Sequence, residues 1–273
     1  MTATSIALTA WAGAALVFVA VLWPLSLWRR DASLVDFWWG PGMAVMAVAV
    51  WWAAGRPTGL HAALVAGLVT AWGLRLGTVL SARRLREPVE DPRYQALRAT
   101  WSPGYWWKSL FVVFVLQAVL QGLVISGALA AILSAPAGFG PLGLIGVVAA
   151  AAGLATEAAA DRQLDRFRAG VPHGAGPKPL CREGLRALVR FPHYAGEMLF
   201  WAGIAALALD AGVWWAPAPA LLMAALLIKV SGAPMMDEHL AATRPDYAAW
   251  AAATPAFVPR LRALGAAARR SLG

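Results

Sequence analysis

The 273-residue chain is poor in charge, in lysine and in cysteine. Charged residues make up 14% of it, against the roughly 25% with which a soluble domain covers its surface. That shortage excludes a soluble globular domain. With 60% hydrophobic residues and a mean hydropathy of +0.62, the chain is also neither disordered, collagen-like nor a solvated coiled coil. The single cysteine, Cys181, excludes a disulfide framework and a multi-cysteine metal site. No set of His, Cys and carboxylates has metal-ligand spacing, so no metal is expected. Neither a glycine-rich dinucleotide fingerprint after a strand nor a Walker loop is present. Three lysines stand against 20 arginines, which together with abundant alanine reads as a GC-rich bacterial coding sequence.

What the chain has instead is long apolar runs. A bilayer core takes about 20 apolar residues per helix. Runs of that kind are Ser5 to Trp28, Phe37 to Gly55, and Leu60 to Ser81, the last interrupted by His61 and Arg75. Ser109 to Thr156 is uncharged over 48 residues, enough for two helices separated by the Pro/Gly-rich stretch 135–141. Met198–Leu209 and Ala211–Ile228, parted by Asp210, complete an expected all-α integral membrane fold of about seven transmembrane helices. The whole chain, 1–273, reads as a single membrane domain.

The net charge of +9 is distributed unevenly. With alternating crossings, 21 of the 23 basic residues fall on one face, leaving Arg56 on the other and Arg75 within a span. The positive-inside rule makes the crowded face cytoplasmic, with the N-terminus outside and the C-terminus in the cytoplasm. The surplus therefore marks topology and supplies anion-binding side chains; nucleic acid is not an expected partner. The first run has no basic residues before it and reads as an anchor rather than a cleaved signal. The expected location is a bacterial inner membrane, multi-pass. Trp38, Trp39, Trp51, Trp52, Trp106, Trp107, Trp214 and Trp215 fall near helix ends, as interfacial aromatic belts do. His61 reads as an interfacial residue of the outer side. The mixed-charge tail from Asp237 to about Ala253 reads as a surface helix.

Ionisable groups at membrane depth are costly, so each is a candidate for function. Asp36 opens the second span, Arg75 sits within the third, Glu157 and Asp161 end the fifth, and Glu197 opens the sixth. Read blandly, these are rim residues, helix caps or structural ion pairs. The arginines near helix ends likewise read as topology and headgroup contacts, or as forks converging on a phosphate-bearing cofactor.

Four motifs in order carry a resemblance. The longest is Gly184-Leu185-Arg186-Ala187-Leu188-Val189-Arg190-Phe191-Pro192-His193-Tyr194-Ala195-Gly196-Glu197. It resembles the Arg-His-Pro-Asn-Tyr-x-Gly-Glu signature of membrane reductases in the steroid 5-alpha-reductase superfamily, in particular its bacterial branch of unknown function. Asp31 to Gly40, Glu90 to Arg98, and Glu157 to Arg168 are similar to pieces of the same family, and the likeness runs from about residue 29 to 260.

The resemblance implies a lipid-metabolic, NADPH-dependent oxidoreductase. It would transfer hydride to an activated C=C bond of a lipid-like steroid, isoprenoid or related substrate taken from the bilayer. Matching by position implies that Arg83, Arg86, Asp161, Arg168, His193, Tyr194, Glu197 and His239 bind the cofactor, mainly through a C-terminal part of about 155–260. Glu197 would accept the nicotinamide carboxamide N–H, and the arginines would meet phosphates. Asp36 matches a carboxylate that works with a tyrosine on the substrate carbonyl, and the tyrosine position falls on Trp72. The usual His-Pro-Asn is here Phe191-Pro192-His193.

An S-adenosylmethionine-dependent membrane methyltransferase of the isoprenylcysteine or phospholipid type is the alternative, since those enzymes share a similar Arg-His-Pro-x-Tyr signature. A non-catalytic lipid-binding or scaffold protein is a third reading.

Overall fold

The structure, a computed structural model, describes residues 2–55, 59–86, 89–134, 138–171 and 179–260. Among these, every regular element is helical. The helices are α1 (Ala3–Arg29), α2 (Asp36–Ala53), α3 (Gly59–Arg86), α4 (Pro92–Thr100) and α5 (Tyr105–Ser134). They continue as α6 (Pro141–Ala169), α7 (Pro192–Asp210), α8 (Pro217–Ala225), α9 (Ala233–Thr243) and α10 (Tyr247–Ala253).

Among the described residues six stretches are long and apolar enough to cross a membrane: Ala3–Arg29, Ala32–Ala53, Gly59–Leu85, Tyr105–Ser134, Pro141–Ala169 and Pro217–Thr243. The chain is thus a multi-pass membrane protein by length and composition. The expected span Met198–Leu209 lies inside α7, whose polar opening, Pro192 to Glu197, dilutes its apolar stretch. The last span begins at Pro217, because Gly212 (φ +82°) and the turns after it separate it from α7.

Cα packing divides the chain into two compact units, Met1–Val147 with Ile204–Pro219, and Val148–Gly203 with Ala220–Gly273. In the first, α1 switches to π-helical bonding over Val17–Leu22, just ahead of Pro24, whose ring removes a backbone donor. It ends in a Schellman turn: Asp31 N–H donates to Ser26 O at 2.9 Å, and Arg30 takes the left-handed conformation (φ 52°) usually left to glycine.

Next in the first unit, α2 meets α3 through Gly40 and Gly73, where each backbone occupies the space that a Cβ on the other would need. Pro41 interrupts α2, and beside it the Gln121 amide of α5 donates to Trp38 O (3.0 Å) and Trp39 O (2.8 Å). These bonds add a donor to the turn of α2 that Pro41 leaves one N–H short.

The indoles of Trp38 and Trp39 turn inward, bonding Ala14 O and Gln117 Oε1, while Trp52, Trp106, Trp107, Trp214 and Trp215 stay exposed. His61 is not interfacial. It is 1% exposed, with Nε2 at 3.0 Å from Leu207 O and its ring against Phe139. Asp210, at the end of α7, caps the start of α6 by accepting from Gly140 N–H at 2.9 Å.

In the second unit, α6 and α7 cross with backbones in contact at Gly153 and Gly196; a Cβ on Gly196 would fall 2.8 Å from Gly153 O. This close crossing accounts for the glycine of the signature segment. Gly184 (φ +57°) turns the chain before α7, held by Gln163 Oε1, which accepts from Leu185 N–H at 2.9 Å.

Candidate functional site

In the first unit the site grows from a capped loop helix. Asp91 N-caps α4 by accepting from Arg93 N–H at 2.9 Å, and Pro92 follows as the first helical residue. That start sets Arg93 and Tyr94 side by side on the first turn of α4, close to the head of α2. Tyr94 Oη donates to Asp36 Oδ1 at 2.7 Å, and Arg93 Nη2 donates to Asp36 Oδ2 at 3.0 Å. Arg93 also forks onto both oxygens of Asp91, at 2.9 and 3.0 Å. The Tyr94 ring is buried in a cluster with Phe18, Val35, Tyr105, Val113 and Phe114, so only its hydroxyl reaches the polar side.

Two further acids brace the same turn. Asp31 pairs with Arg84 and caps the Ala32–Val35 turn through Ser33. Glu90 Oε1 accepts from Ala32 N–H and from Arg98 Nη2, each at 2.8 Å. The group therefore holds four carboxylates, Asp31, Asp36, Glu90 and Asp91, against three arginines, Arg84, Arg93 and Arg98.

Burial alone would lower the Arg93 pKa, but its bonds to Asp91 and the charge of Asp36 outweigh burial and raise it. Burial pushes the Tyr94 phenol up, and the Asp36 carboxylate pushes it further. Arg93 is thus a fixed cation and Tyr94 a protonated donor. The arrangement presents one carboxylate and one exchangeable O–H at the head of a membrane helix, suited to a carbonyl oxygen.

Trp72, the expected partner of Asp36, is fully buried in the core of this unit. The phenol that meets Asp36 is Tyr94, which sequence reasoning placed in a motif but not in the site. The signal was the run Asp91-Pro92-Arg93-Tyr94: a cap and a first-turn proline followed by two side chains of matching chemistry. Arg83 is partly buried on the last turns of α3; Arg86 ends that helix, and its side chain lies outside the described residues.

In the second unit, His193 and Tyr194 open α7 with ring centroids 4.0 Å apart, backed by the fully buried Phe191. One turn later Glu197 Oε1 accepts from Trp201 Nε1 at 3.1 Å. Glu157 and Asp161, four apart on α6, are buried at 1% and 6% exposure. Arg168 near the end of α6 and His239 on α9 are exposed.

A fastening missed by sequence reasoning joins three segments here. Arg190 donates through Nη1 to Ala251 O (2.9 Å) and Thr254 O (3.4 Å), and through Nη2 to Asp237 Oδ2 (3.0 Å). Backbone N–H groups of Arg190 and Phe191 donate to Pro255 O and Ala256 O, at 2.9 and 3.0 Å. Tyr247 Oη completes the group by donating to Asp237 Oδ1. Burial, and then this bond, raise the Tyr247 pKa. The chain after α10 is thereby strapped to the signature segment.

Among the described residues no group of three or more His, Cys, Asp and Glu forms a metal site. Residues 22–254 match the model of a family described as a protein of unknown function (DUF1295). No curated protein and no solved structure matches the chain.

Proposed function

The chain belongs to the DUF1295 family of unknown function, and from its resemblance to steroid 5-alpha-reductases together with its site geometry we propose that it is an NADPH-dependent membrane reductase of an activated C=C bond in a lipid-like substrate. The observation that carries this reading is the Asp36–Tyr94 pair, with Arg93 on the other carboxylate oxygen. Charge that develops on a carbonyl oxygen as the conjugated bond is reduced needs a donor aimed at it in a dry site. The Tyr94 hydroxyl, its ring locked in the core, is that donor. Its single proton points to Asp36 in the free protein and turns about the C–O bond to a carbonyl oxygen. Asp36 remains paired with Arg93 meanwhile, so the exchange leaves no carboxylate unpartnered. Tyr94 thus fills the role first expected of Trp72.

The second unit's donor set fits the cofactor. Glu197 offers a carboxylate acceptor for a carboxamide N–H, His193 and Tyr194 offer two neighbouring rings tilted to one another, and the exposed Arg168 offers a fork for phosphate oxygens. By the same resemblance to steroid 5-alpha-reductases, Asp161 and His239 join this set, and Arg83 and Arg86 of the first unit are further cofactor-binding residues. When bound, NADPH supplies the hydride; the protein's part is to bind, orient and keep water out.

Taking α7 as a seventh crossing places the N-terminus outside and 21 of 23 basic residues on the cytoplasmic face. A bacterial inner membrane is the corresponding location.

Titration of the purified protein with NADPH and with S-adenosylmethionine tests the reading. The expected result is saturable NADPH binding, weakened about tenfold or more by Arg168→Ala through loss of a charge-assisted hydrogen bond. Binding of S-adenosylmethionine alone turns the assignment to a methyltransferase, and binding of neither to a non-catalytic protein.

A further inference from the structure

One cavity is left unused by this chemistry. It measures about 190 Å³ and lies in the second unit, bounded by Thr156 of α6, Leu188 and Val189 before α7, Ala195 and Leu199 of α7, and Phe257 of the strap. Its walls are almost wholly apolar. Thr156, the one polar residue among them, turns its hydroxyl back onto Ala152 O at 2.8 Å. Water finds few hydrogen-bond partners on such walls, whereas a hydrocarbon chain needs none.

Ala195 and Leu199 are four apart and share one face of α7. His193 and Glu197, offset by two residues, fall on the opposite face at about 100° per residue. The cavity is therefore separate from the residues read as cofactor-binding. Its rim runs into exposed apolar surface: Leu199 is 41% exposed, and Val258, next to Phe257, is 76% exposed. Pro259 also lines it, and Arg260, the next residue, is exposed and positively charged.

We propose that this cavity seats one acyl chain of an anionic phospholipid from the surrounding bilayer, with Arg260 meeting its headgroup phosphate. An apolar wall that opens onto exposed apolar side chains, with a cation one residue beyond its lining, matches the two halves of such a lipid.

The test is photolabelling in phosphatidylcholine vesicles doped with phosphatidylglycerol carrying a diazirine on one acyl chain, with adducts mapped by mass spectrometry. Adducts are expected to concentrate on the peptides of Leu199 and Phe257, over the exposed Val148 of the apolar span α6. Leu199→Trp fills the cavity and lowers them about tenfold, equivalent to displacing two buried methylenes. Arg260→Gln lowers them about threefold, the scale of one exposed charge pair. Val258→Ala, beside the cavity, leaves them unchanged and controls for folding. Equal labelling of Val148 and Leu199, adducts that survive Leu199→Trp, or equal labelling by a diazirine phosphatidylcholine overturns the proposal.

Discussion

Each unit holds an aspartate that accepts from an arginine on one oxygen and a tyrosine on the other. Arg93 reaches Asp36, and Arg190 reaches Asp237, both at 3.0 Å. Tyr94 and Tyr247 donate to the remaining oxygens. The difference lies in what else the arginine holds. Arg93 binds a second carboxylate, Asp91, within its own helix turn, so the group is self-contained and its phenol is free to exchange partners. Arg190 binds the carbonyls of Ala251 and Thr254, some 60 positions along the chain, so any exchange there would release the strap. One composition therefore yields the proposed binding pair in one place and a fastening in the other.

The largest expected effect separates the two tyrosines by activity. Tyr94→Phe should lower reduction of a long-chain enone, followed by NADPH oxidation, about 100-fold, the scale of one lost oxyanion donor. Tyr247→Phe should leave turnover per folded molecule unchanged. If both variants lose activity alike, the two trios do not differ in role.

Stability should reverse that order. Arg190 is 16% exposed and Arg93 36%. Arg190→Ala should cost about 2 kcal/mol, the value of hydrogen bonds to a charged group, seen as a lower unfolding midpoint in detergent and early proteolysis of residues 254–260. Arg93→Ala, at a more open site, should cost under about 1 kcal/mol. Equal losses would erase the distinction.

The smallest effect is alkaline. The Tyr247 phenol has a folded pKa above its ordinary value of 10. The unfolded chain therefore releases this proton first, and stability falls as pH rises past that value. Tyr247→Phe removes this contribution, so its unfolding midpoint should drop less than the parent's from about pH 9 to 11. Parallel curves would place Tyr247 outside the Asp237 bond.

The membrane helices were legible because hydrocarbon demands continuous apolar runs, and such runs leave few alternatives. α7 was less so, since its opening carries the polar signature. Partners distant in the chain were not legible. Tyr94 stands in an evident cap-and-helix motif, yet nothing in that motif says that its hydroxyl meets an acid 58 residues earlier. Trp38, Trp39 and His61 look like interfacial residues from their place at helix ends; the carbonyls and the amide that draw them inward belong to other helices. Asp210 interrupts two apolar runs and reads as their boundary, whereas the structure uses it to cap α6. In each case residue chemistry was visible and pairing was not.

The Gln121 amide beside Pro41 illustrates how the solvent shapes what a sequence must contain. In water, any carbonyl loosened by a proline finds a replacement donor at once, and the residue across from it is of little consequence. In hydrocarbon no such replacement exists, and the turn of α2 that Pro41 leaves one N–H short receives an added donor from α5, at the height of Gln121. The two helices are thereby coupled, and a change at Gln121 is felt in α2 as much as in α5.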